Sequence, residues 1–291
     1  TEQLSPLSSR PTYTETENEL TVKANKRTFI FSKKDGQLKG VSVDNRKINF
    51  ANGPRFIGAR RADRSLDQFY NHDDEKAKEK DRTYSEFPDA AVFTKLDVKQ
   101  DGGDLIVTAN YKLGNLDKAQ WTINPSGELA LDYTYNFSGV VDLMGIRFDY
   151  PEDQVISKRW LGAGPYRVWQ NRIHGTQYDV WENDYNDPIP GETFTYPEFK
   201  GYFGDVSWMN IQTKEGTISL TNETPDAYIG VYQPRDGRDR LLYTLPESGI
   251  SVLNVIPPVR NKVNSTDLCG PSSQPKWVNG PQTGRVIFRF M

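Results

Sequence analysis

Apolar and polar residues alternate along much of this chain with a period of two. The alternation is clear in ELTVKANKRTFIFSKKDGQLKGVSVDNRKINF (19–50), where KDG interrupts it before it resumes through Leu38, Val41 and Val43. Because successive side chains of a strand point to opposite faces, this period is typical of half-buried strands. A glycine-containing turn between two such runs indicates an antiparallel hairpin. We therefore predict two or three antiparallel strands in this stretch, with a turn at KDG.

The same arrangement recurs further along the chain. FTKLDVKQDGGDLIVTANYKLG (93–114) and KAQWTINPSGELALDYTYNFSG (118–139) each hold two alternating runs, joined by the turns QDGGD and NPSGE. Further strands are predicted by GTISLTNE, YIGVYQP, ISVLNVIPP and GRVIFRFM. Helical periodicity is nearly absent, and the charged run DDEKAKEKDR has no apolar face, so residues 71–84 are assigned to a surface loop. The predicted fold class is all-β, a single large antiparallel sandwich.

Composition agrees with this class and sets the domain division. The 291 residues are 36% hydrophobic and 12% aromatic, with 23 Gly and 18 Pro, which favours a large core built from strands and turns. Residues 1–18 are polar and rich in Ser, Thr and Pro, without a strand period. We interpret them as an interdomain linker or N-terminal extension, and residues 19–291 as the sandwich domain.

Charge and cysteine content narrow the possible partners. The net charge of -3 gives no basic field for nucleic acid or an anionic membrane surface, and we expect neither as a partner. No apolar run approaches the roughly 20 residues that cross a bilayer. Cys269 is the only cysteine, so an internal disulfide or a cysteine-based metal cluster cannot form. The compartment stays open, and a secreted or periplasmic protein is as compatible with the composition as a cytoplasmic one.

The segment RWLGAGPYRVWQNRIHG (159–175) concentrates glycines, aromatic rings and cations where a predicted strand runs into a Gly-x-Gly-Pro corner. It resembles W-x-G-x-G-P-x-E-x-Y-x-D-R-x-x-G in the C-terminal domain (domain 5, the small chain) of glycoside hydrolase family 2 β-galactosidases. ANKRTFIFSKKDGQLKGVSVDNRKI is similar to the opening hairpin of that domain, and YPEFKGYFGDVSWMNI to its P-Q-E-x-G-x-x-x-D-V-R-W segment. STDLCGP and the final GRVIFRF resemble its last loop and strand. The four stretches occur in the family's order and cover nearly the whole chain.

This resemblance implies a β-supersandwich of the kind found in galactose mutarotases. It also implies that the two catalytic glutamates lie on a separate (β/α)₈ barrel, so this chain would carry no catalytic residue. Neither the paired carboxylates of a glycosidase nor the strand–helix alternation of a barrel is visible in the sequence. The implied role is to pack on that barrel and shape the pocket for a galactoside or related glycan. A carbohydrate-binding module and a free-standing aldose epimerase or mutarotase are the alternatives.

The chain departs from the family at positions that bear on sugar binding. Cys269 stands where many members carry the tryptophan of the galactose pocket, which puts galactose specificity in doubt, and Trp277 follows a few residues later. Asn171 replaces the aspartate before the family's arginine, and Arg167 replaces the glutamate of G-P-x-E. RFIGARRADRSLDQFYNHDD lacks the proline and the acidic pair of F-x-R-A-P-x-D-N-D.

Five residues are candidates for carbohydrate contact: Trp277, Cys269, Trp169, Arg172 and His174. A tryptophan ring can stack on the apolar face of a pyranose, but for Trp169, as for Trp160, Trp181 and Trp208, the sandwich core is the favoured alternative. Trp277 is the exception, because it lies in a Pro/Ser-rich loop. Each polar or sulfur-containing candidate also has a structural alternative. Arg172 can serve in an ion pair, His174 in a structural hydrogen bond, and Cys269 as a small apolar residue.

No cofactor is required for this role, although a bound Ca²⁺ or other cation is possible. Two acidic stretches, YNHDDE (70–75) and WENDYND (181–187), offer carboxylates and carbonyl oxygens, which are the ligands that Ca²⁺ prefers. Neither stretch has the spacing of an EF-hand loop, and acidic surface loops are common.

Overall fold

The computed structural model describes residues 9–61, 84–184, 201–231, 245–258 and 270–291. Its regular structure within these ranges consists of strands β1 to β21 and two short 3₁₀ turns, Glu152–Gln154 and Pro271–Ser273. None of the described segments forms a helix long and apolar enough to cross a membrane. The all-β class predicted from the alternation is confirmed.

Two large antiparallel sheets form the molecule. The ten-stranded sheet has the order β1-β2-β3-β4-β6-β13-β19-β18, with β5 paired to β4 and β7 paired to β6. Its strands are β1 (Thr12–Glu15), β2 (Glu19–Ala24), β3 (Arg27–Ser32), β4 (Leu38–Val43), β5 (Arg46–Ile48), β6 (Ala51–Arg61), β7 (Tyr84–Glu86), β13 (Leu143–Asp149), β18 (Tyr228–Gly230) and β19 (Ile250–Val255).

The nine-stranded sheet has the order β15-β14-β16-β17-β21-β11-β10-β9-β8. Its strands are β8 (Val92–Asp101), β9 (Asp104–Lys112), β10 (Leu116–Ile123), β11 (Leu129–Asn136), β14 (Val155–Gly164), β15 (Gln177–Asn183), β16 (Trp208–Thr213), β17 (Gly216–Asn222) and β21 (Pro281–Phe290). A separate ribbon pairs β12 (Gly139–Val141) with β20 (Lys276–Val278).

The predicted hairpins form, and the first stretch holds more strands than expected. KDG joins β3 to β4, with Gly36 at φ 73°, a conformation that glycine adopts at little cost. Two further turns have consecutive positive φ values, which suits a two-residue hairpin loop. They are Asn25–Lys26 (φ 38° and 62°) and Asp44–Asn45 (φ 49° and 65°). Residues 19–50 therefore make four strands instead of two or three.

One strand precedes the predicted start of the domain. Thr12–Glu15 forms β1 and pairs with β2, although all four of its side chains are exposed. An edge strand without a buried face carries no alternation, which is why the pattern does not reveal it. A linker role for the first 18 residues stays a prediction, and residues 1–8 lie outside the described range. Most of the predicted loop 71–84 also lies outside it, but its last residue, Tyr84, is buried at the start of β7.

Aromatic rings fill the space between the two sheets. Phe148 on β13 stacks on Phe50 with ring centroids 4.7 Å apart. It also meets Phe288 of β21 edge-on at 5.4 Å and Trp121 of β10 at 6.0 Å. All four rings are fully buried, so Phe148 joins the ten-stranded sheet to the nine-stranded sheet through the main core.

The middle of the ten-stranded sheet is apolar on both faces. Strand alternation sends Phe56 and Ile146 into the main core and places Ile57 and Leu143 on the opposite, outer face. On that outer face Leu253 of β19 extends the apolar cluster, and Ile57, Leu143 and Leu253 are each at most 2% exposed. An outer face this apolar must be covered, and the covering segments form the candidate site.

We predict that Phe148→Ala lowers the free energy of unfolding by about 3–5 kcal/mol, because the variant leaves a cavity between the sheets. Chemical denaturation of the chain measures this loss. Leu113→Ala is the matched surface control, since Leu113 is 74% exposed, and it should change stability by no more than about 0.5 kcal/mol. Equal effects of the two substitutions would contradict the inter-sheet role of Phe148.

Buried tyrosines make stability sensitive to alkaline pH. Burial raises the pKa of Tyr133 to about 12. Burial also raises the pKa of four other tyrosines above the ordinary value: Tyr111, Tyr135, Tyr150 and Tyr202. The unfolded chain releases these protons first, so stability is fully present below about pH 10 and falls as pH rises from there through the folded-state pKa values.

The corresponding experiment follows the unfolding midpoint from pH 8 to about pH 12, together with tyrosinate absorbance. We expect the midpoint to fall above about pH 10 and the fall to be shallower in Tyr133→Phe. Tyr13→Phe is the control, because Tyr13 is 46% exposed and should leave the profile unchanged. A midpoint that does not vary with pH in this range would contradict the assignment.

Candidate functional site

The RWLGAGP segment is the strand-to-loop corner that its sequence predicts. Strand β14 ends at Gly164, where an added side chain would collide with the indole of Trp181. The chain then crosses to the ten-stranded sheet, and Val168 and Tyr202 exchange backbone hydrogen bonds of 2.7 and 2.8 Å. These bonds hold the segment over the outer apolar face of β6 and β13.

A tight turn follows at residues 169–172. The N–H of Arg172 donates to the carbonyl of Trp169 at 2.8 Å, and the N–H of Trp169 donates back at 3.3 Å. Trp169 itself is 2% exposed and meets Tyr202 edge-on at 5.7 Å, within the outer apolar cluster. Its ring therefore covers the sheet, and burial leaves it no free face for stacking on a sugar.

The other tryptophans of this region are also packed to different extents. Trp160 is 2% exposed, meets Phe203 edge-on at 5.0 Å and donates from Nε1 to the carbonyl of Ala163 at 3.0 Å. Trp181 and Trp208 are partly buried. These rings were candidates for either sugar stacking or the core, and Trp160 and Trp169 are buried in the core.

Hydrogen bonds join this turn to the last loop of the chain. Gln170 donates from Nε2 to the carbonyl of Gln274 at 2.9 Å, across a separation of 104 residues. Asn171 donates from Nδ2 to Ser273 Oγ at 3.3 Å, and the Gln170 N–H donates to the Pro257 carbonyl at 3.0 Å. Two motifs far apart in sequence thus form one surface, which we call the joined loops (165–175 and 270–278).

Trp277 projects from the joined loops into solvent. It lies on β20, opposite Val140 of β12, and its side chain is 71% exposed. The base of the ribbon is closed by Ser138 Oγ, which lies 2.9 Å from Asn279 Oδ1, and by backbone bonds between Phe137 and Gly280. The backbone is thus fixed while the indole stays free, an arrangement suited to stacking on an apolar ligand face.

The remaining candidates lie on or beside the same surface. Arg172 and His174 are exposed on the loop that carries the turn. Cys269 lies outside the described residues, and its neighbour Gly270 is exposed at the start of the joined 270–278 segment. Arg167, which stands where the family has a glutamate, is buried with its guanidinium carbon 5.9 Å from the centre of the Phe203 ring.

Metal ligation finds no support in the described part of the chain. No group of three or more His, Cys, Asp or Glu side chains there is arranged to hold a metal ion. The stretch 70–75 lies outside the described residues, as does the second half of 181–187. A bound cation at either stretch stays a prediction.

Sequence reasoning did not find the side chains that tether the joined loops, Gln170 and Ser273. Their role depends on a contact across about a hundred residues, which no local pattern reports. It also did not find the charged pair Arg147 and Asp149, which alternate with buried residues on β13. The sequence did contain a signal for this pair, because Arg147 and Asp149 are charged residues two positions apart in an otherwise apolar strand.

Comparison with known protein families assigns this chain to one of them. A family model described as β-galactosidase small chain matches residues 23–260, most of the chain and most of its strands. This chain belongs to the β-galactosidase small chain family. The relationship predicted from four short motifs is therefore confirmed. No curated protein sequence matches this chain.

One solved structure shows the same fold at low sequence identity, and a second match is weaker. Galactose 1-epimerase from Lactobacillus acidophilus NCFM is 10% identical with a TM-score of 0.50, and the match covers 98% of this chain and 99% of that one. A protein provisionally assigned as an aldose 1-epimerase from Escherichia coli K12 is 12% identical with a TM-score of 0.43, covering 97% and 99%. The first match shows that this chain shares its fold with that galactose 1-epimerase, and it shows the fold alone.

We predict that Gln170→Ala loosens the joined loops without unfolding the small-chain protein. The variant removes the bond to Gln274, worth about 1 kcal/mol, so amide exchange in residues 270–278 should accelerate about fivefold. Because Oε1 of Gln170 is buried without a hydrogen-bond partner, its removal also relieves a desolvation cost and global stability should change little.

Hydrogen–deuterium exchange with peptide resolution measures this effect. Gln212→Ala is the matched control, since Gln212 accepts a 2.7 Å bond from Thr217 Oγ1 on the nine-stranded sheet. That control should leave exchange at 270–278 unchanged. Unaltered exchange in Gln170→Ala would show that the side chain does not hold the two loops together.

Proposed function

We propose that this chain is the non-catalytic C-terminal domain of a β-galactosidase-like retaining glycoside hydrolase of family 2. In this proposal it packs on a catalytic barrel outside the chain and completes the rim of the carbohydrate pocket with the joined loops. The family match over residues 23–260 supports the assignment to a β-galactosidase. The sequence supports the non-catalytic role, because it lacks the strand–helix alternation of a barrel that would carry the two catalytic carboxylates.

The observation that carries the pocket role is the exposure of Trp277. This large aromatic ring is 71% exposed on a hydrogen-bonded ribbon, so most of its apolar surface contacts water. A partner or a ligand that covered the ring would remove this surface from water. The apolar face of a pyranose matches an indole ring, and the sugar hydroxyls remain free for polar groups at its edge. Arg172 and His174 are exposed on the adjoining loop and supply such polar groups. Trp169 contributes indirectly, by fixing the turn from below.

An epimerase acting alone is the second candidate, favoured by the structural match to galactose 1-epimerase. Acid–base catalysis at the anomeric centre requires a histidine and a carboxylate placed around the sugar. Among the described residues, His174 forms no ion pair and no hydrogen bond with a carboxylate, and His72 lies outside them. We therefore place the epimerase second and test for it directly.

The test compares hydrolysis of nitrophenyl β-galactoside by the natural protein that contains this chain, by the 291-residue chain, and by Trp277→Ala in the natural protein. We expect no hydrolysis by the chain alone. In the natural protein, Trp277→Ala should lower kcat/KM about tenfold, the equivalent of about 1.4 kcal/mol for a lost aromatic contact, with an unchanged unfolding midpoint. Trp277→Phe should retain most of the activity, because a phenyl ring can still stack.

Tyr13→Ala in the natural protein is the matched control, since it removes an exposed aromatic ring from β1 at the far edge of the ten-stranded sheet. Full activity of Trp277→Ala in the natural protein would contradict the proposed pocket role. Hydrolysis by the 291-residue chain alone would overturn the non-catalytic assignment. Accelerated mutarotation of galactose by the chain alone, followed by polarimetry, would favour the epimerase instead.

A further inference from the structure

A polar cleft of about 550 Å³ opens on the outer face of the ten-stranded sheet, away from the joined loops. It lies where β6 begins and β13 ends. Here Arg55 and Arg147 occupy the outer face that Ile57 and Leu143 occupy elsewhere on the same two strands. Its walls come from β4, from β13 and from residues 247–249. The volume lies within the range of roughly 300–1,000 Å³ that is usual for small-molecule sites.

A connected set of side chains fixes the floor of this cleft. The Asp149 carboxylate accepts from Arg55 Nη2 and, at 2.8 Å, from Asn52 Nδ2. Asn52 Oδ1 in turn accepts from Lys39 Nζ at 3.3 Å. Asn52 is held at φ 53°, a left-handed conformation that is uncommon outside glycine. These bonds orient a carboxylate, an amide and two cations before any ligand arrives.

Two arginines lie side by side beneath the cleft. Arg147 on β13 is directly opposite Arg55 on β6, and like charges in this position disfavour the pairing of the strands. Arg147 Nη1 donates to the carbonyl of Glu247, yet the Nε atoms of both arginines are buried without a hydrogen-bond partner. Burial, followed by the charge of Arg55, lowers the pKa of Arg147. The pair is therefore costly, and Arg147, which lines the cleft, is the member that a ligand can reach.

The lining favours a ligand that is neutral and rich in hydroxyl groups. The residues that line the cleft carry three cations and three carboxylates, Lys39, Lys47 and Arg147 against Asp149, Glu152 and Glu247, so their formal charges cancel. Adding their ion-pair partners Arg55 and Asp35 leaves this balance unchanged. A multiply charged ligand would gain little from such a site. A sugar hydroxyl both donates and accepts, which matches alternating cations, carboxylates and amides.

We propose that this cleft binds a neutral saccharide unit, as a site separate from the joined loops. Vicinal hydroxyls accept hydrogen bonds from Arg147 and Lys47 and donate to the carboxylates of Asp149 and Glu247. The site holds a polysaccharide segment on the chain and has no part in bond cleavage. It goes beyond the proposed pocket role, because no lining residue belongs to the joined loops.

Isothermal titration calorimetry of the 291-residue chain tests this proposal with lactose, cellobiose, xylobiose and mannobiose, and with digalacturonate as an anionic probe. The cleft variants are Arg147→Met and Glu247→Ala. The side chain of Glu247 is exposed, and Arg147 bonds only to the backbone carbonyl of Glu247, so Glu247→Ala should fold normally. This second variant therefore tests the cleft even if Arg147→Met does not fold. Lys99→Met removes a 70% exposed cation from β8 and is the matched control.

We expect at least one neutral disaccharide to bind. Its affinity should fall about tenfold or more in Arg147→Met, as for the loss of a hydrogen bond to a charged group, and should be unchanged in Lys99→Met and Trp277→Ala. Unchanged binding in Trp277→Ala separates this result from the proposed pocket role. Three outcomes overturn the inference: no neutral disaccharide binds, binding is lost in Trp277→Ala but kept in the cleft variants, or digalacturonate binds more tightly than every neutral probe.

Discussion

The central strands of the ten-stranded sheet are apolar on both faces, and much of the structure follows from the need to cover them. Phe56 and Ile146 pack inward against the nine-stranded sheet, while Ile57, Leu143 and Leu253 point the other way. Leaving that second set in water would forgo roughly 25 cal/mol for each Å² of apolar surface. The segment after β14 crosses from one sheet to the other and supplies the cover, so a connection between strands also serves as a lid on the outer face.

This covering requirement also builds the candidate site. Once Trp169 is buried against Tyr202, the rest of its turn has a fixed position, and Gln170 and Asn171 meet the loop that carries Trp277. The exposed groups of the joined loops are thus held by a buried anchor beneath them. Binding groups on loops gain precision when the scaffold below them is rigid, because less ordering is then needed as a ligand arrives.

The outer face changes character along the same strands. Towards the end of β6 it is apolar and covered, whereas around Arg55 and Arg147 it is charged and open. A fold of this kind is compatible with many functions, since the outer face beyond the covered apolar cluster is free to vary. One chain can therefore present two chemically different surfaces: an aromatic one at Trp277 and a hydrogen-bonding one in the cleft.

The sequence by itself determined many of the strands and turns, the all-β class and the family. Alternation and turn glycines are local signals, and side chains such as Leu38 and Val41 alternate because neighbouring residues of a strand face opposite ways. Tertiary structure decided which tryptophans are buried and which loops meet. The sequence left both Trp169 and Trp277 as candidates for sugar contact, but one faces an apolar sheet and the other faces solvent. The contact between Gln170 and Gln274, and the pairing of Arg55 with Arg147, arise from strand order and register, which no local pattern encodes.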